Sequence, residues 1–355
     1  MSDTDLTRID PGELDSGGAL PCGWYTRGEI FAAENQRIFR KMWQYVGHAA
    51  QLARAGDFFT ATLGDVPAVI TRDDEGKIHA MANVCRHRAS EVVLECSGNR
   101  RTLQCHYHGW TYNLDGTLRA APRSSEQRSF PKDRLSLAPF AVETWGPMIF
   151  VNPDPDAPPL ASVIGDLPHL FGRAGVEVEK LKMIRRDVYE IAANWKIVIE
   201  NFNECYHCPI AHPKFSELID TDAYSADVSH EYYSAYHGPI IGVPGAAVDY
   251  ATLWPTAMFT LSAKPHAMQV LRAWPIDPGH TRVTIDYYFA PDVSEAEIHD
   301  YVALSDLVQR EDMVLCESVH RGQRSAMVPR GHLMLSRESG IRHFQRLVYR
   351  FVAGA

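Results

Sequence analysis

Two short cysteine–histidine motifs constrain this chain more than any other feature of its sequence. Cys85 and His87 form a C-x-H step, and after a spacer of 17 residues Cys105 and His108 form a C-x2-H step. Thiolate and neutral imidazole are metal ligands, so we expect each step to lie on a tight loop. The fold must then bring the two loops together around one metal centre.

The composition of this ligand set indicates which metal centre it holds. Thiolates stabilise ferric iron, and a neutral imidazole lowers the negative charge on the iron that it binds and so raises its potential. Two cysteines on one iron and two histidines on the other therefore suit a [2Fe–2S] cluster of moderate potential. Spacing alone leaves an alternative open, a structural zinc ion with Cys2His2 ligands.

A second pair of histidines lies in the segment NWKIVIENFNECYHCPIAH, residues 194–212. His207 and His212 are five residues apart, so on a regular helix they would point roughly 140° away from each other. Both reach one metal ion only if the helix is distorted or ends there, and Pro209 between them predicts such a break. The alternative is that both are ordinary core or surface residues.

A third ligand from a carboxylate would complete a 2-His-1-carboxylate iron site. The long C-terminal helix predicted from Ser294 offers four acidic candidates, which are Asp306, Glu311, Asp312 and Glu317. At about 100° per residue, Asp312 falls closest to the centre of the apolar stripe of this helix and Glu311 at its edge. A carboxylate on an apolar face is costly unless it is paired or binds metal. We therefore select Asp312, with Glu311 in reserve.

Composition limits the possible partners and the compartment. The formal charge of −9 argues against nucleic acid or an anionic membrane surface as partner, since both are polyanions. The sequence contains no run of 18 apolar residues, and its polar N-terminus does not resemble a secretory signal. Seven cysteines in 355 residues indicate metal ligands and buried thiols rather than a disulfide scaffold. We expect a cytoplasmic protein.

Hydrophobic patterns divide the chain into three parts. Residues 1–45 are expected to form a lead-in with a helix over 27–45, and residues 46–155 form a strand-rich domain in which 66–71 and 77–84 make a hairpin. The proline- and aspartate-rich stretch near 152–159 marks the next boundary. Residues 156–355 are expected to contain antiparallel strands, a helix over 194–207 and a last long helix with a capping box at Ser294 and Glu297. The fold class is α+β.

Both ligand segments resemble those of one protein family. The first motif continues as Gly109-Trp110-x-Tyr112-x3-Gly116, and residues 194–212 match N-W-K-x3-E-N-F-x-E-x-Y-H-x4-H without a gap. Together they resemble the α-subunits of Rieske non-haem iron oxygenases, the ring-hydroxylating oxygenase family. Ala89 departs from the family pattern C-x-H-R-G, in which glycine is expected. The resemblance implies an N-terminal Rieske [2Fe–2S] β-domain and a C-terminal helix-grip (START-like) catalytic domain with an antiparallel sheet.

The same resemblance implies cofactors, partners and further site residues. Each chain would hold one [2Fe–2S] cluster and one mononuclear Fe(II). A separate NAD(P)H-dependent reductase, with or without a ferredoxin, would supply electrons, and O2 and a small molecule would be the substrates. A head-to-tail homotrimer would bring the cluster of one subunit to the iron of the next. There Glu204 would link His108 of one chain to His207 of its neighbour, and Asn201 would support the iron site.

The substrate class is the least defined part of this prediction. Residues 311–322 (EDMVLCESVHRG) resemble the ligand helix of the branch acting on choline, glycine betaine and carnitine. This resemblance favours hydroxylation or N-demethylation of a quaternary ammonium compound. A set of aromatic residues could supply cation–π contacts for it, although aromatics in strands more often pack a core. The set is Tyr232, Tyr233, Tyr236, Trp254, Phe259 and Trp274.

Three rival functions remain open at this point. An aromatic-ring hydroxylating dioxygenase has the same cofactors but a different substrate. A Rieske electron-transfer protein without oxygenase activity would hold two irons per chain rather than three. A colourless zinc-binding module would hold no iron.

The cysteines outside the first motif have weaker interpretations. Cys205 and Cys208 form a C-x-x-C that is typical of a redox pair, yet they interleave with His207, so packing is the favoured role. Cys96 and Cys316 are predicted to be buried thiols. No role is predicted for Cys22.

Overall fold

A computed structural model describes residues 9–354, and these residues form two compact units. The first, called the central unit below, comprises residues 39–160. The second, called the terminal unit, comprises the residues up to Ile38 together with those from Ala161 onward. The segment before the central unit thus packs with the C-terminal part of the chain, a grouping that the sequence did not indicate.

The segment before the central unit is built from short elements. They are α1 (Pro11–Asp15), β1 (Gly18–Pro21), α2 (Gly23–Thr26) and α3 (Gly28–Glu34). The helix predicted over 27–45 is shorter than expected, because a π-helical turn (Asn35–Phe39) follows Glu34 and a strand begins at Gln44. At this change the Asn35 side-chain amide donates to the carbonyl of Phe31 at 3.1 Å. Such a local side-chain bond competes with the regular backbone ladder.

The central unit is made of antiparallel strands, as predicted. Its strands are β2 (Gln44–His48), β3 (Asp57–Leu63), β4 (Val66–Arg72), β5 (Ile78–Ala82), β6 (Ser97–Asn99), β7 (Leu103–Gln104), β8 (Thr111–Tyr112), β9 (Leu118–Ala120), β10 (Pro139–Trp145) and β11 (Met148–Asn152). Seven of them form one sheet in the order β2-β11-β10-β5-β4-β3-β6, and β7-β8-β9 form a second. The predicted hairpin is confirmed as β4 and β5.

Apolar side chains from both sheets of the central unit form one core around the ligand loops. Phe58, Val69 and Met81 of the large sheet pack in the same buried cluster as Cys85 and Cys105. A core of this kind holds the backbone of both loops in fixed positions.

The terminal unit contains a second antiparallel sheet of seven strands. Its strands are β12 (Lys182–Ile191), β13 (Ser225–Asp227), β14 (Tyr233–Pro239), β15 (Ala247–Leu253), β16 (Ala257–Ala263), β17 (His266–Asp277) and β18 (His280–Phe289), and β19 (Arg330–His332) pairs with β1 instead. The sheet order is β12-β18-β17-β16-β15-β14-β13. The predicted pair of strands at 266–277 and 281–290 is confirmed as β17 and β18.

The later helices of the terminal unit are mostly short, with two exceptions. They are α4 (Ala161–Ile164), α5 (Leu167–Arg173), α6 (Trp195–Phe202), α7 (Cys208–Ala211), α8 (Pro213–Ser216), α9 (Glu295–Arg324) and α10 (Ser339–Ala353). Helix α9 begins after the predicted capping box of Ser294 and Glu297. It is not the last long helix, because α10 follows with 15 residues. None of the helices within residues 9–354 is long and apolar enough to cross a membrane.

Helix α9 lies across one face of the seven-stranded sheet of the terminal unit. The Tyr189 hydroxyl on β12 donates to Asp306 at 2.8 Å, and the Tyr287 hydroxyl on β18 donates to Ser305 at 3.1 Å. Both acceptors are on α9. A long helix held against an antiparallel sheet is the helix-grip arrangement, and the α+β class is confirmed.

Two candidate metal centres and a cavity

The two ligand loops of the central unit have the same backbone design. The Cys85 amide donates to the Ser90 carbonyl at 2.8 Å, and the Cys105 amide donates to the Trp110 carbonyl at 2.8 Å. The amides of Ala89 and Gly109 each donate back to the carbonyl of their cysteine at 3.0 Å. Each loop is therefore a closed turn that fixes a cysteine at its base and a histidine beyond it.

Ala89 and Gly109 occupy equivalent positions in these turns. Their φ angles are 58° and 71°, in the left-handed region that favours glycine. The departure from the family pattern at Ala89 therefore leaves the turn intact but places an alanine in a strained conformation. The strain costs on the order of 1 kcal/mol, and packing in the surrounding core must offset it.

The four candidate ligands differ in exposure by residue type. Cys85 and Cys105 are 4% and 2% exposed, whereas His87 and His108 are exposed and their ring centroids lie 4.6 Å apart. The Tyr112 hydroxyl lies 3.3 Å from the Cys85 sulfur. Burial raises the pKa of Tyr112, and its hydrogen bond with Cys85 raises it further. The hydroxyl thus stays protonated beside the sulfur.

The donor set fits a two-iron cluster better than a single ion. Zinc in a tetrahedral site would bring all four donor atoms close to one another. In the part of the chain that the structure describes, no three of these four residues bring their donor atoms within 4.8 Å of one another. Buried thiols on one side and exposed imidazoles on the other instead suit two metal atoms with different ligands.

The second candidate centre is a cluster of three side chains in the terminal unit. His207, His212 and Asp312 bring their donor atoms within 4.8 Å of one another. The two Nε2 atoms are 3.2 Å apart, and Asp312 Oδ1 lies 2.9 Å from that of His212 and 3.4 Å from that of His207. Ligand bonds of about 2.1 Å that meet at right angles place neighbouring donor atoms about 3 Å apart. The three residues therefore fit one metal ion.

Two further carboxylates fix the orientation of the imidazoles. Glu204 accepts a short hydrogen bond from Nδ1 of His207, and Glu311 accepts one from Nδ1 of His212 at 2.7 Å. Each Nε2 is thereby turned towards the common point, as is usual for ligating histidines. Glu311, the reserve candidate for the third ligand, lies at the outer nitrogen of His212 rather than at the common point.

These contacts also set the charges at the site. Burial lowers the pKa of His207, but hydrogen bonds with Asp312 and Glu204 outweigh it and raise the pKa to about 10. The pKa of Asp312 is lowered, because hydrogen bonds with the two histidines outweigh the effect of burial. Two imidazoles among three carboxylates favour a positive charge, which a metal ion can supply in place of protons.

The predicted role of Pro209 is wrong. Helix α6 already ends at Phe202, and Pro209 lies in the first turn of the separate short helix α7, where proline is well tolerated. His207 and His212 flank α7 as its two capping residues. The histidines therefore converge because a loop and one helical turn separate them, not because proline breaks a longer helix.

Helix α6 is anchored by motif residues that do not touch the metal site. The Trp195 indole and the Lys196 ammonium both donate to buried Glu34, the indole at 2.9 Å. Glu200 accepts from the hydroxyl of Tyr25 at 2.7 Å. The Trp, Lys and Glu of the sequence motif thus hold α6 against residues about 160 positions earlier in the chain, which sequence reasoning missed.

A cavity of about 800 Å³ opens beside the three clustered residues, between α9 and the seven-stranded sheet of the terminal unit. Its wall includes the predicted residues Asn201 and Glu204. Helix α9 contributes a polar row at helical spacing, made of Ser305, Gln309, Asp312 and Cys316. Gln309 is only 9% exposed. The row places a neutral hydrogen-bonding side chain one turn before Asp312.

The aromatic residues of the cavity are not those predicted. Phe202, Tyr224 and Tyr250 line it together, with the centroids of Phe202 and Tyr224 lying 6.2 and 6.0 Å from that of Tyr250. The predicted set (Tyr232, Tyr233, Tyr236, Trp254, Phe259, Trp274) lies outside the lining. Trp254, for example, packs against α10 through Phe344 and Phe351. Aromatic spacing in strands did not reveal which face meets the cavity.

Cysteine predictions had mixed outcomes. Cys205 and Cys208 form a disulfide, so the pairing that the C-x-x-C spacing suggests is present and the favoured role of packing alone is wrong. Both line the cavity on either side of His207. Cys316 is buried as predicted, whereas Cys96 is exposed.

Comparison with known proteins identifies the family. Residues 42–131 match the Rieske [2Fe-2S] domain, and residues 178–244 and 230–354 match the ring hydroxylating alpha subunit (catalytic domain). Choline monooxygenase from Atriplex hortensis is 34% identical over 340 residues, which are 91% of this chain and 76% of that protein. The carnitine monooxygenase oxygenase subunit of Acinetobacter pittii is 29% identical, over 94% of this chain and 95% of that protein.

A solved structure gives the same result. The quaternary ammonium Rieske monooxygenase CntA in complex with L-carnitine superposes with a TM-score of 0.85 at 30% identity, covering 99% of each chain. Proteins of this kind contain a Rieske [2Fe–2S] cluster and a mononuclear iron, and they receive electrons from a reductase partner. The chain belongs to the Rieske non-haem iron oxygenases and is a terminal oxygenase component.

Proposed function

We propose that this oxygenase hydroxylates an N-methyl carbon of a small quaternary ammonium compound and so removes the methyl group. The observation that carries the proposal is the aromatic cluster of Phe202, Tyr224 and Tyr250 in the cavity beside His207, His212 and Asp312. Aromatic faces bind quaternary ammonium groups through cation–π attraction. The similarity to choline and carnitine monooxygenases supports the same class.

The ligand roles are part of this proposal. Cys85, Cys105, His87 and His108 would hold the [2Fe–2S] cluster, the cysteines on one iron and the histidines on the other. His207, His212 and Asp312 would hold the mononuclear iron, which when bound supplies the activation of O2. Glu204 would orient His207 through Nδ1, and Asn201 would support the cavity wall next to it.

The proposed reaction consumes O2 and two electrons from the reductase. One oxygen atom is inserted into a C–H bond of the N-methyl group, and the other leaves as water with two electrons and two protons. The resulting N–CH2OH group loses formaldehyde and a proton, and the C–N electron pair stays on nitrogen as a tertiary amine.

We also propose a head-to-tail homotrimer in which His108 of one chain approaches Glu204 of the next. Apolar side chains at both surfaces support such a contact. Tyr206 and Ile210, which flank His207 in sequence, are 55% and 88% exposed, and Tyr107 beside His108 is 53% exposed. Covering them with a neighbouring subunit would remove apolar area from water. We place the protein in the cytoplasm, where NAD(P)H is available to the reductase, which acts with or without a ferredoxin.

A substrate panel tests the proposed reaction. With reductase, NADH and O2, we expect carnitine, glycine betaine or choline to give substrate-dependent NADH oxidation and formaldehyde. Tyr250→Leu should raise the KM for the ammonium substrate by about 3- to 30-fold, whereas Tyr250→Phe keeps the ring and the KM. Activity confined to aromatic acids would overturn the proposal in favour of an aromatic-ring dioxygenase.

A further inference from the structure

An exposed basic segment distinguishes one surface of the central unit. Residues 119–134 carry five cations and two carboxylates, all of them exposed, in a chain whose formal charge is −9. The cations are Arg119, Arg123, Arg128, Lys132 and Arg134.

These cations differ in their ion pairing from other cations of the central unit. Elsewhere in the same unit, Arg40 pairs with Asp65 at 2.9 Å and Lys41 with Asp154 at 2.8 Å. None of the five forms an ion pair with any residue from 9 to 354. An array of unpaired like charges on one segment destabilises the free protein slightly and attracts a surface of opposite charge.

An aromatic contact joins this segment to the cluster loops. Phe130 packs edge-on against Trp110 with centroids 5.6 Å apart, and Trp110 stacks on His87 at 5.0 Å with a 7° angle between the rings. Phe130 belongs to the basic segment and His87 is a proposed cluster ligand. Ring contacts therefore run from the basic surface to one imidazole.

The other imidazole has different neighbours. The ring centroid of His108 lies 3.9 Å from that of Tyr107, and the guanidinium of Arg88 lies 5.4 Å above the Tyr107 ring. His108 is the ligand proposed to approach Glu204 of the next subunit. The two imidazoles therefore have different aromatic neighbours, and the ring contacts of His87 lead to the basic segment.

We propose that residues 119–134 form the docking surface for an acidic face of the electron-donor protein, and that electrons enter the cluster through the His87 side. Each transfer oxidises the donor's reduced flavin or iron–sulfur centre by one electron and reduces the cluster by one electron. The proposal rests on the ligand assignment of His87 but not on the proposed substrate. Residues 119–134 would thus be the binding surface for the reductase partner that this family requires.

Charge reversal tests the surface without any substrate. The probe is a reduced plant-type ferredoxin, a small acidic one-electron donor, and the readout is the stopped-flow rate of bleaching of the oxidised cluster. Wild type should be reduced at a second-order rate that falls steeply with salt. Arg123→Glu/Arg128→Glu should slow reduction by about 10- to 100-fold at low ionic strength and abolish the salt dependence. The matched control Arg54→Glu/Lys77→Glu changes two exposed cations of the same unit outside the segment.

Two further readouts separate docking from other roles. Reduction by dithionite and the EPR signal of the reduced cluster should be the same in all three proteins, which shows that the site is intact. The milder Arg123→Gln/Arg128→Gln should give an intermediate rate. Equal slowing by the control pair, salt-independent reduction of wild type, or conversion of the oligomer to monomers by the segment variants would each overturn the proposal. The last result would assign the segment to a contact between copies of this chain.

Discussion

The two candidate metal centres differ in their exposure to solvent. In the central unit, both histidines are exposed and only the cysteines are buried. In the terminal unit, His212 is 2% exposed and the Asp312 side chain 18%, and both line the cavity. A cluster that exchanges electrons needs its ligands at the surface, whereas oxygen chemistry needs a site that excludes water. The difference in burial therefore matches the division of work between the units.

The neighbours of the histidines differ in the same way. His207 and His212 each donate Nδ1 to a carboxylate, which fixes the ring and raises its basicity. His87 and His108 instead contact the aromatic rings of Trp110 and Tyr107. An imidazole whose outer nitrogen is not already bonded within its own unit can present that nitrogen to a partner.

The largest expected effect comes from removing the carboxylate of the buried site. Asp312→Ala deletes one of three clustered donors and leaves two imidazoles beside Glu204 and Glu311. We expect iron content to fall from about three to about two atoms per chain and turnover to fall by at least about 100-fold. Iron analysis, EPR of the Rieske cluster and formaldehyde release measure these quantities.

Asp306→Ala is the matched control on the same helix. Asp306 bonds to Tyr189 and Arg310 and not to the histidines. It should keep the full iron content and most of the activity. Full iron occupancy and full substrate oxidation in Asp312→Ala would show that the cluster of three is not the iron site.

The two centres also differ in how far the sequence predicts them. The four residues of the central site lie within 24 positions on two loops of matching design, so spacing alone brings them together. Asp312 is 100 residues from His212, and only its place near the apolar stripe of a helix singled it out. The structure brings Asp312 to both histidines, while the ligand roles themselves stay predictions.

Other features depend on packing that no local pattern encodes. Glu34 is the partner of Trp195 and Lys196, yet 161 residues separate Glu34 from the tryptophan. Tyr250 of β15 was missed because strand alternation says which residues share a face but not which face meets the cavity. Tyr224 lies just before β13 and outside any strand, so alternation does not apply to it. The end of α6 at Phe202 was missed because Asn203, its C-cap residue, is a weaker helix-stop signal than glycine or proline.

Glu204 offers an intermediate test, since it alone is proposed to serve both centres. Glu204→Gln keeps the size of the side chain but removes the charge that holds His207 at Nδ1. We expect transfer from a pre-reduced cluster to the terminal site to slow by about 10- to 100-fold, while reduction of the cluster by an external donor stays normal. Single-turnover product formation measures the first rate and stopped-flow bleaching the second.

Glu217→Gln is the control for that experiment, because Glu217 is an exposed acid at the same cavity. Its single-turnover rate should equal that of wild type. Equal slowing of both steps in Glu204→Gln would mean general damage rather than a bridge between centres. An unchanged single-turnover rate would remove the bridging role.

The smallest effect concerns stability and sharpens the contrast in burial. Burial raises the pKa of Glu200 from 4.5 to about 7, with its hydrogen bonds to Tyr25 and Gln345 opposing the shift. A carboxyl group whose pKa is higher in the folded state stabilises the fold fully at pH values below its unfolded-state pKa. This stabilisation is lost as the pH rises through its folded-state pKa. The free energy of unfolding of wild type should therefore fall by on the order of 2 kcal/mol between pH 5 and 8 because of this group. Glu200→Gln cannot ionise, so its unfolding midpoint should fall less over that range, whereas a change at the exposed Glu29 of helix α3, Glu29→Gln, should follow wild type. Calorimetry at several pH values measures the difference, and parallel curves for Glu200→Gln and wild type would mean that the buried Glu200 of α6 stays ionised.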